Sequence, residues 1–478
     1  MTFNSLQYAL FLPVTLLVYW LLPQRVEVAG LRVRLRQPFL LGASYVFYGA
    51  GAGWFLLMLM FTTLVDYNVG RALDRFQGHR RRQAVLVLSL SVNLGVLGFF
   101  KYSGFFVAQV SDLLDRVGLN PGMPVLRVAL PIGISFYTFQ SIAYVVDVYR
   151  RQIPACRNVV DFATFVAFFP QLVAGPISRA RTLLPQLQAE RGRPGGPKVV
   201  SGLLLILVGL FKKVVIADSL APIANQAFDG HPESTTVALA GIVAFAFQIY
   251  ADFSGYTDIA RGTARLLNVQ LIHNFRQPYW SMSVTEFWRR WHISLSNWLR
   301  DYLYIPLGGN RRGSWSTYRN LMVTMLLGGL WHGAGWPFVI WGGLHGLFLS
   351  AERARRHGVP PTDQGARRPR DLVAVLWTFA LVCFAWVFFR SASVADAVGV
   401  LAALGDVHGQ PLAIGDLVVL LAMCGCTVVI DIVTARASHP VDLMRRRPVV
   451  SGVALGVIVC SILLFSGKTP VPFIYFQF

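Results

Sequence analysis

The stretch Trp331-His332-Gly333-Ala334-Gly335-Trp336-Pro337 joins two apolar runs, 318–334 and 335–352. Glycine and proline punctuate helices, so it reads as a break between two hydrophobic helices with an imidazole at the break. A titratable ring at membrane depth is costly, and the usual reason to keep one is a pathway or a chemical step. Upstream, Arg289-Arg290-Trp291-His292-Ile293-Ser294-Leu295-Ser296 sets a second histidine among tryptophans. The two histidines are the sharpest functional clue in the chain.

Outward from this junction the same apolar pattern recurs. Further runs fall at 5–22, 36–52, 54–70, 84–102, 130–148, 198–217, 237–253, 371–389, 412–431 and 449–467. Each approaches the roughly 20 residues that cross a hydrocarbon core about 30 Å thick. The composition agrees: 55% of the 478 residues are hydrophobic and 14% charged, against about 25% charged in soluble domains. The expected fold is an all-α polytopic membrane protein, with about 11–13 transmembrane or re-entrant helices around a central polar tunnel. A single integral-membrane domain, 1–478, is expected, ending in an aromatic extracytoplasmic tail, 468–478. The first run lacks a basic leader and an A-x-A-like site, so it reads as a retained helix.

The net charge of +20 is clustered at Arg80–Arg82, Arg150–Arg151, Arg191 and Arg193, Arg311–Arg312, Arg353–Arg370 and Arg445–Arg447. A polyanion partner such as nucleic acid is one reading of such charge. The positive-inside rule accounts for it better, and no nucleic-acid partner is expected. All clusters share one side if the N-terminus is outside, the chain crosses twelve times, and 160–176 dips in and returns. The five cysteines form no framework, and Cys424-Gly425-Cys426 has no histidine nearby to complete a soft-metal site. No metal is expected, and small apolar packing is the better role for these side chains. No phosphate-binding GKS/T, G-x-S-x-G elbow or EF-hand spacing occurs, so nothing suggests ATP hydrolysis or a soluble serine hydrolase.

No internal repeat is visible, which disfavours inverted-repeat transporters. The longest polar insertions are 179–197 and 353–370. Ser111–Gly118 suits a short amphipathic helix before a turn at Asn120-Pro121-Gly122. The unusual region is 251–316, where charged residues and aromatics interleave. From 283 onward Phe287, Trp288, Trp291, Leu295, Trp298, Leu299 and Tyr302 recur at spacings of three and four. That predicts one amphipathic helix at the cytoplasmic interface, ended by Pro306-Leu307-Gly308-Gly309-Asn310 and carrying His292. Plain interfacial anchoring is the competing use of this helix.

Acyl transfer from a thioester to a hydroxyl needs a base, a donor for the oxyanion and exclusion of water. His332 suits the base role, with Gly328, Gly329, Gly333 and Gly335 expected to let backbone approach a substrate. Pro337 is expected to free backbone groups, a defect tolerated where it lines a cavity. His345 reads equally as structural. Arg289, Arg290, Arg311 and Arg312 are candidates to hold the phosphates of a phosphopantetheine donor, although topology alone puts arginines there. Gln171, Gln248, Asp252, Trp331 and Trp336, with His345, are candidate tunnel-lining residues. Interhelical hydrogen bonding suits Gln248 and Asp252 slightly better. The tail Lys468-Thr469-Pro470-Val471-Pro472-Phe473-Ile474-Tyr475-Phe476-Gln477-Phe478 reads first as an interfacial anchor, while the Tyr475 hydroxyl is also a possible acyl acceptor.

Ordered motifs along nearly the whole chain resemble the membrane-bound O-acyltransferase (MBOAT) family. They are Phe3-Asn4-Ser5, Pro131-Ile132-Gly133-Ile134-Ser135-Phe136-Tyr137, Phe169-Pro170-Gln171 with Ala174-Gly175-Pro176, and Ala251-Asp252-Phe253-Ser254-Gly255-Tyr256. They continue with Asn274-Phe275 and Pro278-Tyr279, Phe287-Trp288-Arg289-Arg290-Trp291-His292, Tyr304-Ile305-Pro306-Leu307-Gly308-Gly309, Trp331-His332-Gly333 and the aromatic tail. The pattern is similar to the bacterial branch holding the membrane subunits of alginate O-acetylation, peptidoglycan O-acetylation and teichoic-acid D-alanylation. The resemblance implies that His332 is the catalytic histidine, deep in a tunnel. His292 matches a position that is histidine in the polysaccharide branch and asparagine in many lipid- and protein-acylating relatives. It further implies a multi-pass protein of the bacterial inner membrane with no bound cofactor. Acetyl-CoA or an acyl carrier phosphopantetheine thioester is the implied donor. An SGNH-type transferase outside is the implied partner, and Tyr475 the implied relay. The rival expectations are a proton-coupled transporter of a lipid or sugar, a scaffold subunit without turnover, and an acyltransferase for a lipid or protein acceptor.

Overall fold

The fold is described from a computed structural model, covering residues 1–28, 31–119, 129–230, 232–355, 369–436, 447–466 and 473–474. Every apolar run predicted to be a span falls on a helix. In chain order these are α1 (Leu6–Leu21), α2 (Arg36–Ala52), α3 (Phe55–Arg75), α4 (His79–Arg116), α5 (Ile134–Tyr149), α6 (Val159–Ala167), α7 (Phe169–Leu172), α8 (Ala180–Gln188), α9 (Gly196–Leu210) and α10 (Asp218–Phe228). They continue with α11 (Thr235–Leu266), α12 (Val284–Arg290), α13 (Ile293–Leu299), α14 (Gly313–His332), α15 (Trp336–Arg355), α16 (Pro369–Arg390), α17 (Val394–Ala402), α18 (Ile414–Arg436) and α19 (Pro448–Phe465). A two-stranded antiparallel hairpin, β1 (Arg25–Val28) and β2 (Leu31–Arg34), pairs Arg25 with Arg34.

Among the described residues, six helical segments are long and apolar enough to cross a bilayer: His79–Arg116, Gly196–Phe228, Thr235–Leu266, Asp371–Arg390, Ile414–Arg436 and Pro448–Phe465. Across α19 the mean hydropathy reaches 2.5 and none of its side chains is buried in the protein. A helix apolar all round with no protein cover belongs in hydrocarbon. The protein is an all-α integral membrane protein that crosses the bilayer several times.

The chain packs as two compact units. One comprises Met1–Leu203 with Ala260–Ile272, the other Leu204–Ile259 with His273–Phe478. In the first unit, α6 and α7 are nine and four residues long and buried from Asp161 to Leu172. A nine-residue helix covers about 14 Å, half a hydrocarbon core, so the segment predicted to dip and return has no spanning helix. The amphipathic helix expected at Ser111–Gly118 is instead the last part of α4, which runs 38 residues without a break. The turn expected at Asn120-Pro121-Gly122 lies outside the described residues. Two charges assigned to topology are structural: Arg82 donates to Tyr149 O at 2.7 Å, and Arg191 to the Tyr19 hydroxyl at 2.7 Å. Cys460 is exposed on α19 rather than packed inside.

The second unit is organised around an aromatic core in which Trp291, Trp341, Trp386 and Phe389 are buried together with Phe245 and Phe287. α9 crosses α11 closely where Gly209 and Gly255 face one another. A side chain on either would meet the other's carbonyl oxygen, a small-residue crossing typical of membrane helices.

Candidate active site

Ser283 caps α12, its hydroxyl accepting from Glu286 N at 3.1 Å, and Glu286 returns to Met282 N at 2.8 Å. The helix ends at Arg290, where Trp291 turns to extended backbone. His292 then adopts a left-handed conformation, φ 41° and ψ 54°, and caps α13. A non-glycine residue there costs on the order of 1–3 kcal/mol and persists only when its surroundings over-determine it. Asn274 provides that hold: its carbonyl accepts from Ile293 N at 2.9 Å and its Oδ1 from Ser294 N at 3.0 Å. His292 Nδ1 itself accepts from Leu295 N at 3.3 Å. The neutral ring therefore carries its proton on Nε2. Burial pushes the His292 pKa down to about 3, so the neutral form is the resident one.

This geometry corrects the expectation of one continuous interfacial helix from 283. Two short helices meet at the histidine, and their aromatic face is buried in protein. Phe287, Trp291 and Leu295 are at most 1% exposed. A period of three and four describes both helices equally well, because the kink falls between repeats.

His332 is the last residue of α14, and Gly333 beyond it is extended. Its ring is walled by Trp331 at 4.9 Å, Trp341 at 5.1 Å and Phe389 at 5.2 Å between centroids. The His292 ring lies 6.5 Å away and nearly perpendicular, with Trp331 also 6.0 Å from it. Two histidines 40 positions apart in sequence are thus near neighbours. Trp341 faces His345 on its other side at 4.9 Å. His345 Nδ1 accepts from Trp288 Nε1 at 3.2 Å, which assigns that ring a fixed tautomer as well.

Two of the glycines around His332, Gly329 and Gly333, serve helix packing, together with Gly342. A side chain at Gly329 would meet the Phe338 carbonyl, at Gly333 the Phe338 ring, and at Gly342 the Met325 carbonyl. They let α14 and α15 lie backbone to backbone and so bring His332 against Trp341. Pro337 creates no defect, because it occupies the first turn of α15, where a helix lacks partners for its N–H groups anyway.

A third element reaches this cluster. Between α9 and α10 the helix widens into a π turn, Phe211–Ala217, a feature often found at functional positions. There Lys212 pairs with Asp258 at 2.7 Å, and Lys213 with Asp252 at 2.9 Å and Asp218 at 2.8 Å. Asp252 Oδ2 accepts from Ile474 N at 2.7 Å. Phe473 packs on Tyr256 at 4.6 Å and on Phe253 at 5.9 Å, and Phe253 lies 4.8 Å from the His292 ring. Phe473 and Ile474 are 5% and 2% exposed. These two tail residues are packed into the unit, which overturns the interfacial-anchor reading for them. Tyr475 lies outside the described residues.

His292, His332 and Trp331 therefore come together, with His345 one ring further on. Asp252 meets the tail at Ile474 N. Gln248 is buried on α11, and its Oε1 has no partner among the described residues. Gln171 belongs to the first unit, where its amide donates to Phe165 O at 3.0 Å. Trp336 is 54% exposed at the start of α15 and does not line the buried cluster. Arg289, Arg311 and Arg312 are exposed, and Arg290 pairs with Glu286 at 2.5 Å. Sequence reasoning passed over Lys213, Asn274 as the support of His292, and the walls Trp341 and Phe389. Two adjacent lysines inside the apolar run 198–217 were the available signal for the first.

Comparison with known proteins identifies the family. The model of the membrane-bound O-acyltransferase family, MBOAT, matches residues 40–394. The chain is 46% identical to "Probable alginate O-acetylase AlgI" of Azotobacter vinelandii, over 80% of this chain and 73% of that protein. It is 40% identical to the Pseudomonas putida protein of the same description, over 98% of each. It is 37% identical to "Peptidoglycan O-acetyltransferase" of Helicobacter pylori, over 84% of this chain and 79% of that one. With paired buried histidines on a polytopic helical fold and a family match across most of its length, the chain belongs to the membrane-bound O-acyltransferase family, and it is a membrane O-acetyltransferase.

Proposed function

We propose that this enzyme takes an acetyl group from a cytoplasmic thioester, acetyl-CoA or an acyl carrier protein, and passes it outward to O-acetylate a cell-envelope or extracellular polysaccharide. Alginate is the first candidate acceptor, because several relatives are described as alginate O-acetylases. The observation that carries the mechanism is the hydrogen bond from Leu295 N to His292 Nδ1. It engages the basic nitrogen of His292 and leaves that ring as an N–H donor, so the base role falls to His332. His332 takes the proton of the attacking hydroxyl as the new C–O bond forms at the thioester carbonyl. The C–S bond then breaks, and His332 returns the proton to the departing thiolate. The Nε2–H of His292 is suited to the oxyanion that develops meanwhile. The aromatic walls exclude competing water.

The acceptor hydroxyl in this scheme is that of Tyr475, from which an SGNH-type transferase on the outer side would collect the acetyl group. Exposed Arg289, Arg311 and Arg312 suit the phosphates of the donor. The membrane would be the bacterial inner membrane.

The test is a proteoliposome assay with radiolabelled acetyl-CoA on the cytoplasmic face, following label onto the protein or an external partner. Label transferred by wild type and lost with His332→Ala supports the scheme. Label retained with His332→Ala would move the base elsewhere. Proton-coupled flux of a sugar or lipid without thioester turnover would replace the scheme with transport.

A further inference from the structure

We infer that Asp252, braced by Lys213, is a seat that fixes the register of the C-terminal tail beside the histidine pair. The inference deepens the transfer scheme, since it names the residues that position the tail, and it rests on that scheme for its purpose. Four observations combine. Asp252 Oδ2 accepts from the backbone N–H of Ile474 at 2.7 Å. Lys213 bridges Asp252 and Asp218 at 2.9 and 2.8 Å, and all three side chains are at most 15% exposed. Phe473 fills the space against Tyr256 and Phe253, and Phe253 is in contact with His292. The π turn presents Lys212 and Lys213 side by side to the two carboxylates of α11, Asp258 and Asp252.

The physical cost of this arrangement argues for a purpose. A buried ion pair is often no more stabilising than apolar residues of similar volume, because both charges are desolvated. Here the carboxylate has a second task that an apolar residue cannot perform. It accepts a backbone N–H, and such a bond selects a position along the chain rather than a side-chain type. A charged acceptor makes that bond stronger than a neutral one. Lys213 pairs with the carboxylate and aims it, and Asp218 holds Lys213. The Phe473 ring adds depth, so the tail is fixed both along its length and in its distance from His292. Asp252, Lys213 and Asp218 are positioning residues in this account.

The experiment uses the full chain in nanodiscs and reads hydrogen exchange of the tail peptide together with acetyl transfer. Asp252→Asn removes the charge, and Ile474→Pro removes the N–H while leaving the Asp252–Lys213 pair intact. Both variants are expected to exchange tail amides about tenfold faster or more, with protection of α14 and α15 unchanged. Turnover is expected to fall in both while KM for the donor stays the same. Tail protection unaltered in Ile474→Pro would overturn the inference, whether or not Asp252→Asn folds. Tyr475→Phe separates the two readings. If it transfers acetyl normally with the tail still protected, the tyrosine relay fails and the seat stands.

Discussion

The two histidines sit at helix junctions built in opposite ways. His292 is bound into the backbone of its junction: left-handed, held by Asn274 through the two residues that follow it, and itself the cap of α13. His332 ends a regular helix and is positioned ring against ring by Trp331, Trp341 and Phe389. A ring whose basic nitrogen closes a helix cap cannot take up a proton without breaking that cap. The His332 ring is instead held through its faces by these aromatic neighbours. In the proposed scheme this difference gives the base role to His332 and the fixed-donor role to His292.

The largest test of this contrast is His332→Ala, expected to lower acetyl transfer by about 10²–10⁴. A loss of only a few fold would make the two junctions equivalent. Replacing His292 should divide by substituent. His292→Ala removes both cap and donor and is expected to cost about 10²–10³ in rate together with stability. His292→Asn keeps a residue tolerant of positive φ and an oxygen to cap Leu295 N, so it should keep its stability and lose less rate. Equal unfolding temperatures for Ala and Asn would sink the cap argument.

Asn274→Ala leaves the N–H of Ser294 without its acceptor and should destabilise by about 1–3 kcal/mol, read as a lower melting temperature in detergent. The pH dependence has a defined sign. His292 is depressed from 6.5 to about 3 by burial. Its neutral burial therefore contributes fully above pH 6.5 and is lost progressively as pH falls toward 3. His292→Asn should flatten that acid loss, and melting curves between pH 4 and 7 would show it; an unchanged slope would contradict the burial. Smallest of all, Trp336→Ala should leave transfer near wild type, since that residue is 54% exposed at the start of α15. A large loss there would return Trp336 to the site.

Much of the architecture was legible because hydrocarbon permits few answers. Backbone groups in a bilayer must be satisfied within a helix or a closed barrel, so apolar runs such as 371–389 and 412–431 map directly onto α16 and α18. The histidines were legible for the same reason, as expensive groups in an apolar setting. The interfacial helix was not. Phe287, Trp291 and Leu295 keep helical spacing across a kink that only Asn274, close in space and distant in the pattern, makes visible. Nor was the use of the glycines: Gly333 and Gly342 have the same composition signal whether a substrate or a neighbouring helix approaches them.

The sequence by itself determined the membrane-helical class, the family and the identity of the two histidines, because hydropathy, ordered motifs and the cost of buried charge are local properties. The tertiary structure decided that His292 and His332 face each other, which nitrogen of His292 is engaged, and that Phe473 and Ile474 pack inside. Those depend on pairings such as Asn274 with Ser294 and Asp252 with Ile474, the latter 222 residues apart along the chain. A hydrogen bond leaves no periodic trace in sequence, and only packing brings its two ends together.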